Sequence, residues 1–290
     1  MPAIDSAIRE ALVARLRFYR DIGVTEFYRR PVDPEMLASL QPEISPQVSK
    51  TGKPGAPAET QVSESRLGTP NVEVVEENET IPSRKPIPAP PAVHAEIKPA
   101  DKAAALCLIR DEIGECTRCG LHKGRNKLVF ADGSALARLM FVGEGPGADE
   151  DAQGLPFVGR AGQLLNNMIT AMGLRREDVY IANVVKCRPP NNRTPEPEEA
   201  NTCSPFLFRQ IDVVKPEVIV ALGATAATYL LGQRQPLAGL RGRVHSFRGT
   251  RLIVTYHPAF LLRDPRQKKE AWVDLQIAMR ELGLKVPGRG

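Results

Sequence analysis

From Asp101 to the C-terminus the chain alternates short apolar runs with helical stretches, and no other feature of the sequence restricts the fold as much. The runs are Leu139–Val142, Val179–Val185, Val218–Leu222 and Leu252–Thr255. Helical patterning covers Gly162–Met172, Pro197–Val214, Ala224–Leu231 and Pro265–Leu282. A strand made of Val, Ile and Leu throughout, rather than at alternate positions, has to be buried on both faces. Such strands, connected through helices, form a parallel sheet with helices on each side. The expected fold is therefore α/β, three layers around a central, mostly parallel four-stranded sheet. Ligands of such sheets bind beyond the carboxyl ends of the strands. Three loops directly follow strands there: Gly143–Gly147, Asn183–Pro190 and His257–Ala259.

The first hundred residues read differently. Ile4, Ile8, Leu12 and Leu16 recur at i, i+4 behind Asp5 and Ser6, which predicts a short helix within a segment spanning residues 1–40. Residues 41–100 hold 11 prolines and no Phe, Tyr, Trp or Cys. Such a stretch cannot bury enough apolar area to offset its ordering entropy, so a disordered linker is expected there. The catalytic or binding unit is then residues 101–290. It carries 27 basic against 20 acidic residues, a balance that suits a polyanionic partner. No apolar run approaches the roughly 20 residues of a membrane span, and the N-terminus lacks the apolar core of a signal peptide. A cytoplasmic monomer is expected, with the N-terminal helix available to an unidentified protein partner.

Five cysteines in a chain without an export signal argue against a disulfide framework. Cys116 and Cys119 form a C-x2-C pair, Cys187 ends the second apolar run, and Cys203 follows 16 residues later. One close pair and two separated singles can enclose either a tetrahedral Zn²⁺ or a [4Fe-4S] cube, and spacing does not separate the two. Cys107, on the expected helix Lys102–Glu112, reads as a small core residue.

The residues G-E-G-P-G (Gly143 to Gly147), then Asp151, then G-L-P-F-V-G-R-A-G-Q-L-L (Gly154 to Leu165) resemble the first motif of the family 4 uracil-DNA glycosylases. N-V-V-K-C-R-P-P-N-N-R-T-P (Asn183 to Pro195) is similar to that family's second block, and H-P-A-F-L-L-R (His257 to Arg263) to its last. The resemblance covers about residues 105–282 and includes all four spaced cysteines. It implies the uracil-DNA glycosylase fold and hydrolysis of the N-glycosidic bond of deoxyuridine in DNA, giving free uracil and an abasic site. It also implies a [4Fe-4S] cluster on Cys116, Cys119, Cys187 and Cys203. A non-hydrolytic iron–sulfur DNA-binding module associated with a polymerase is the competing reading.

Cleaving that bond builds negative charge on the departing base, so donors fixed on the uracil oxygens lower the barrier. The resemblance makes His257 the donor to uracil O2, for which a neutral imidazole suffices. Asn183 offers one acceptor and one donor on a planar amide, matching uracil N3–H and O4, whereas cytosine presents the reversed pair. Phe157 resembles the family's stacking platform, and Gly143 and Gly145 let the backbone approach the base closely. Better-known family 1 enzymes read G-Q-D-P-Y where this chain has G-E-G-P-G. A catalytic carboxylate is thus absent at Gly145, and Glu144 and Glu150 are the residues expected to orient the water. Leu261 and Leu262 are expected to wedge into the vacated base stack, with Arg263, Arg188, Arg193 and Arg160 on phosphates. The K-R-R-I-H insertion of a covalently trapping relative is missing, which implies turnover.

Overall fold

The computed structural model of the protein describes residues 97–286. The expected N-terminal helix and the proline-rich segment up to residue 96 lie outside them. After helix α1 (Lys102–Ile113) come a two-residue strand β1 (Asp132–Gly133), β2 (Leu139–Gly143), a short helix α2 (Ala148–Gln153) and α3 (Arg160–Ala171). Next are β3 (Tyr180–Asn183), α4 (Pro197–Val214), β4 (Val218–Leu222), α5 (Ala224–Leu231) and a single helical turn α6 (Leu237–Leu240). The hairpin strands β5 (Val244–Phe247) and β6 (Thr250–Thr255) precede α7 (Pro258–Arg263) and α8 (Lys268–Glu281). Among the described residues, no helix is long and apolar enough to cross a membrane.

The sheet order is β1-β3-β2-β4-β6-β5. The four apolar runs are its four central strands, and all three pairings among them are parallel. Side chains of β2 alternate between two cores. Met140 and Val142 pack with Leu207, Phe208 and Ile211 of α4, while Leu139 and Phe141 pack with Leu165 and Ile169 of α3 and Leu275 of α8. This alternation makes the molecule three layers thick, as continuous apolar strands require. The two edge strands differ from the expected four-stranded sheet. They pair antiparallel with β3 and β6, and their sequences, D-G and the half-exposed V-H-S-F, carry no apolar run because an edge strand is not covered on both faces.

From the central β2 the chain moves to β3 on one side and then crosses to β4 on the other. That reversal opens a crevice at the carboxyl ends of the strands, where doubly wound sheets bind ligands. Cys107 is exposed, contrary to the expected core position. The buried stripe of α1 is Leu106, Ile109 and Ile113, and position 107 falls beside it on the solvent face.

Candidate active site and cysteine pocket

Gly143 and Asn183 end neighbouring parallel strands and face each other in register. A Cβ on Gly143 would lie 2.4 Å from Asn183 Oδ1 and 2.6 Å from the Phe157 ring, so only glycine lets these two groups close over the strand end. Asn183 is 2% exposed. Its Oδ1 is buried without a hydrogen-bond partner. Leaving an acceptor in that state costs the folded protein about 1–3 kcal/mol. Such a group calls for an explanation, and a ligand donor is one.

Phe157 is buried and sits at φ 52°, in the left-handed region. Holding a non-glycine residue there costs on the order of 1–3 kcal/mol and requires the surroundings to enforce it. Two features do so. A Cβ on Gly162 would meet the Phe157 carbonyl oxygen at 1.9 Å, so α3 crosses directly against this backbone. Arg176 donates to the Pro156 and Phe157 carbonyls at 2.6 and 3.0 Å, and its Nε pairs with Asp132 at 2.7 Å. The Phe157 ring is thereby fixed with its centroid 5.6 Å from that of His257.

His257 follows β6 and caps α7, its Nδ1 accepting the Ala259 N–H at 3.1 Å. In the neutral imidazole the proton therefore sits on Nε2, the nitrogen left to donate. Burial foremost, then the nearby Arg263 cation, lowers the His257 pKa to about 4, against a smaller opposing effect of Glu150. The ring is neutral at physiological pH. A Cβ on Gly223, just beyond β4, would lie 3.1 Å from His257 Cβ, which places a third strand end against the histidine. Gly143, Phe157, Asn183 and His257 thus meet at one place. Gly145 lies on the same loop, packed toward Val185 and Pro189.

The two carboxylates of the loop differ. Glu144 Oε2 accepts from Thr225 Oγ1 at 2.5 Å, which ties the loop to the start of α5. Glu150 accepts three backbone N–H groups, those of Gly147, Val158 and Gly159, at 2.9–3.0 Å. Its expected water-orienting role does not fit, because both oxygens are engaged in joining the Gly147 turn to the Phe157 loop. The expected wedge also needs correcting: Leu261 is 1% exposed and belongs to the core under α7. Leu262 is partly exposed and Arg263 exposed. Arg193 does not stand free for a phosphate, since it grips Glu199 through two bonds of 2.7 and 2.8 Å. Arg188 donates its Nε to Asn192, and Arg160 is exposed at the first position of α3.

Cys116, Cys119, Cys187 and Cys203 line a single pocket together with Arg118, Arg125, Lys186 and Phe206. None of the four is paired in a disulfide. Arg118 donates to Cys116 Sγ at 3.3 Å, Arg125 to Cys187 Sγ at 3.5 Å, and the Lys186 main-chain N–H to Cys203 Sγ at 3.3 Å. Burial pushes the Cys203 thiol up to about 12 and raises Cys119 and Cys187 as well, so binding a metal there would displace protons. Four thiol sulfurs on one pocket are a donor set that suits a [4Fe-4S] cluster or a Zn²⁺ ion.

Sequence reasoning did not find Arg176, Gly162, Thr225 or Lys186. Gly162 and Lys186 lay inside the quoted G-R-A-G and N-V-V-K-C segments; Arg176 and Thr225 act through partners distant in sequence.

The strand ends of this α/β sheet thus gather a buried amide oxygen without a hydrogen-bond partner, an aromatic ring and a neutral histidine. The sequence profile of the Uracil DNA glycosylase superfamily matches residues 130–276. The chain is 49% identical over 159 residues to the type-4 uracil-DNA glycosylase of Thermotoga maritima, an alignment covering 54% of this chain and 83% of the relative. It is 42% identical over 184 residues to that of Archaeoglobus fulgidus (61% and 92% covered) and 46% over 177 residues to that of Pyrobaculum aerophilum (58% and 90%). The chain belongs to the type-4 uracil-DNA glycosylase family.

Proposed function

We propose that this protein is a monofunctional uracil-DNA glycosylase, hydrolysing the N-glycosidic bond of deoxyuridine in DNA at the first step of base excision repair. One observation carries the reading: the partnerless, buried Oδ1 of Asn183, set between Phe157 and Gly143 at the strand ends. A uracil stacked on Phe157 would give that oxygen its N3–H. His257 Nε2–H would then donate to uracil O2 and take up the charge that grows there as the bond breaks. Glu144, with Oε2 held by Thr225, would use Oε1 to orient the attacking water. Reaching this pocket requires the nucleotide to leave the duplex, with Leu262 beside the gap and Arg263 and Arg160 on the backbone phosphates.

The four cysteines are proposed to hold a [4Fe-4S] cluster. Bound there, it would cross-link the chain before β1, the loop after β3 and helix α4. A cytoplasmic monomer is the setting proposed here, supported by five cysteines without a disulfide, which suit a reducing compartment.

Purified anaerobically, the protein is expected to absorb at about 400 nm and to convert uracil-containing DNA to alkali-labile product while leaving cytosine-containing DNA intact. Alkali-stable uracil-DNA would overturn the enzymatic reading. A colourless, zinc-loaded and active protein would overturn the cluster alone. Hypoxanthine- and xanthine-containing duplexes in the same assay define the range of bases.

A further inference from the structure

Lys186 is 1% exposed, and the chemistry proposed above does not use it. Its Nζ donates to the main-chain oxygen of Asn183 at 2.9 Å and to Gln210 Oε1 at 2.6 Å. Gln210 in turn donates to Tyr180 Oη on β3 at 3.2 Å and to the Phe130 carbonyl at 3.3 Å. The Phe130 ring lies 6.0 Å from the ammonium. At its other end the same residue gives its main-chain N–H to Cys203 Sγ and precedes Cys187 in the chain. Burying an ammonium is costly unless its donors are matched, and here two oxygens match it with short bonds. One residue therefore contacts both the sulfur pocket and the peptide of the asparagine at the base pocket.

We infer that Lys186 is a positioning residue that transmits the order of the four-cysteine site to Asn183, fixing the height and tilt of the amide that selects uracil. The inference rests on Asn183 recognising uracil. The peptide that follows Asn183 has its N–H, that of Val184, on the Gly143 carbonyl at 3.0 Å, and the ammonium donates to its carbonyl oxygen, so the peptide is fixed at both ends. The sulfur site acts on selectivity through this lysine while staying out of the reaction.

The test is a double-mutant cycle between Lys186→Met and Asn183→Ala in the full-length holoprotein. Methionine keeps an unbranched stem as long as lysine's up to Cε, removes only the ammonium and preserves the main-chain contact to Cys203. Lys186→Met is expected to retain the absorbance at about 400 nm, lower kcat on uracil-DNA roughly tenfold with KM within about twofold, and weaken inhibition by free uracil by a similar factor. On the Asn183→Ala background the same change is expected to cost less than about twofold, because the group it positions is gone. Gln210→Leu removes the second acceptor without touching the cysteine loops, and it should show the same non-additivity with a smaller loss. Multiplicative losses in both cycles would overturn the inference, as would activity that merely follows loss of the chromophore. If wild-type protein leaves uracil-DNA untouched, the proposed function itself fails, an outcome distinct from either.

Discussion

Asn183→Ala is expected to lower the single-turnover rate of uracil excision by roughly 10²-fold or more while leaving the melting temperature unchanged or slightly raised. The two halves of this expectation have one cause. In the free protein the buried Oδ1 has no partner, so the asparagine contributes no satisfied hydrogen bond there to lose. An unsatisfied buried acceptor is a debit of about 1–3 kcal/mol that alanine removes along with the group. Function is where the cost falls, since the acceptor for N3–H and the means of rejecting cytosine disappear together. Groups kept for chemistry at the expense of stability behave this way. Rapid-quench kinetics on uracil-containing oligonucleotide, set beside a thermal melt, checks both halves. A rate loss under threefold, or a slow variant that has also lost several degrees, would remove Asn183 from the recognition role.

The parts of this molecule legible in its sequence are those set by local pattern. Helices α4 and α5 and strand β4 have the bounds that patterning predicts, because both faces of each strand and one stripe of each helix are buried. Asn183 and His257 could be placed at one edge from topology alone: parallel strands bring their carboxyl ends together whatever lies between them in sequence. Partner choice was not legible. Leu261 and Leu262 are the same residue type side by side, and which of them faces the core depends on how α7 rotates against α3. Arg193 and Arg160 are equally good phosphate ligands on paper. Only the approach of Glu199 on the first turn of α4 removes the former. Glu150 likewise looks like a solvated loop acid until three backbone N–H groups surround it. The clamp on Phe157 was beyond reach for the same reason, since Arg176 finds the Pro156 and Phe157 carbonyls about 20 residues away.

The excision rate is expected to show no inflection near pH 6.5 and to decline only as the pH approaches about 4, the value to which burial lowers the His257 pKa. Protonation would place a hydrogen on Nδ1 opposite the Ala259 N–H, breaking the cap of α7 and shifting the ring that faces uracil O2. Stability must follow the same group. Between the folded value near 4 and the unfolded value of about 6.5 the unfolded chain binds the extra proton, so the histidine's contribution is full above the upper limit and fades as pH falls through this window. His257→Ala is therefore expected to cost roughly 10²-fold or more in excision at neutral pH. It should also flatten the acid limb of both the rate profile and the melting curve. Single-turnover rates and melts from pH 4 to 8 on wild type and variant test this together. An inflection near 6.5 that vanishes in the variant would mean that the imidazole titrates as it does in water, and a donor so exposed could not stabilise the departing base as proposed.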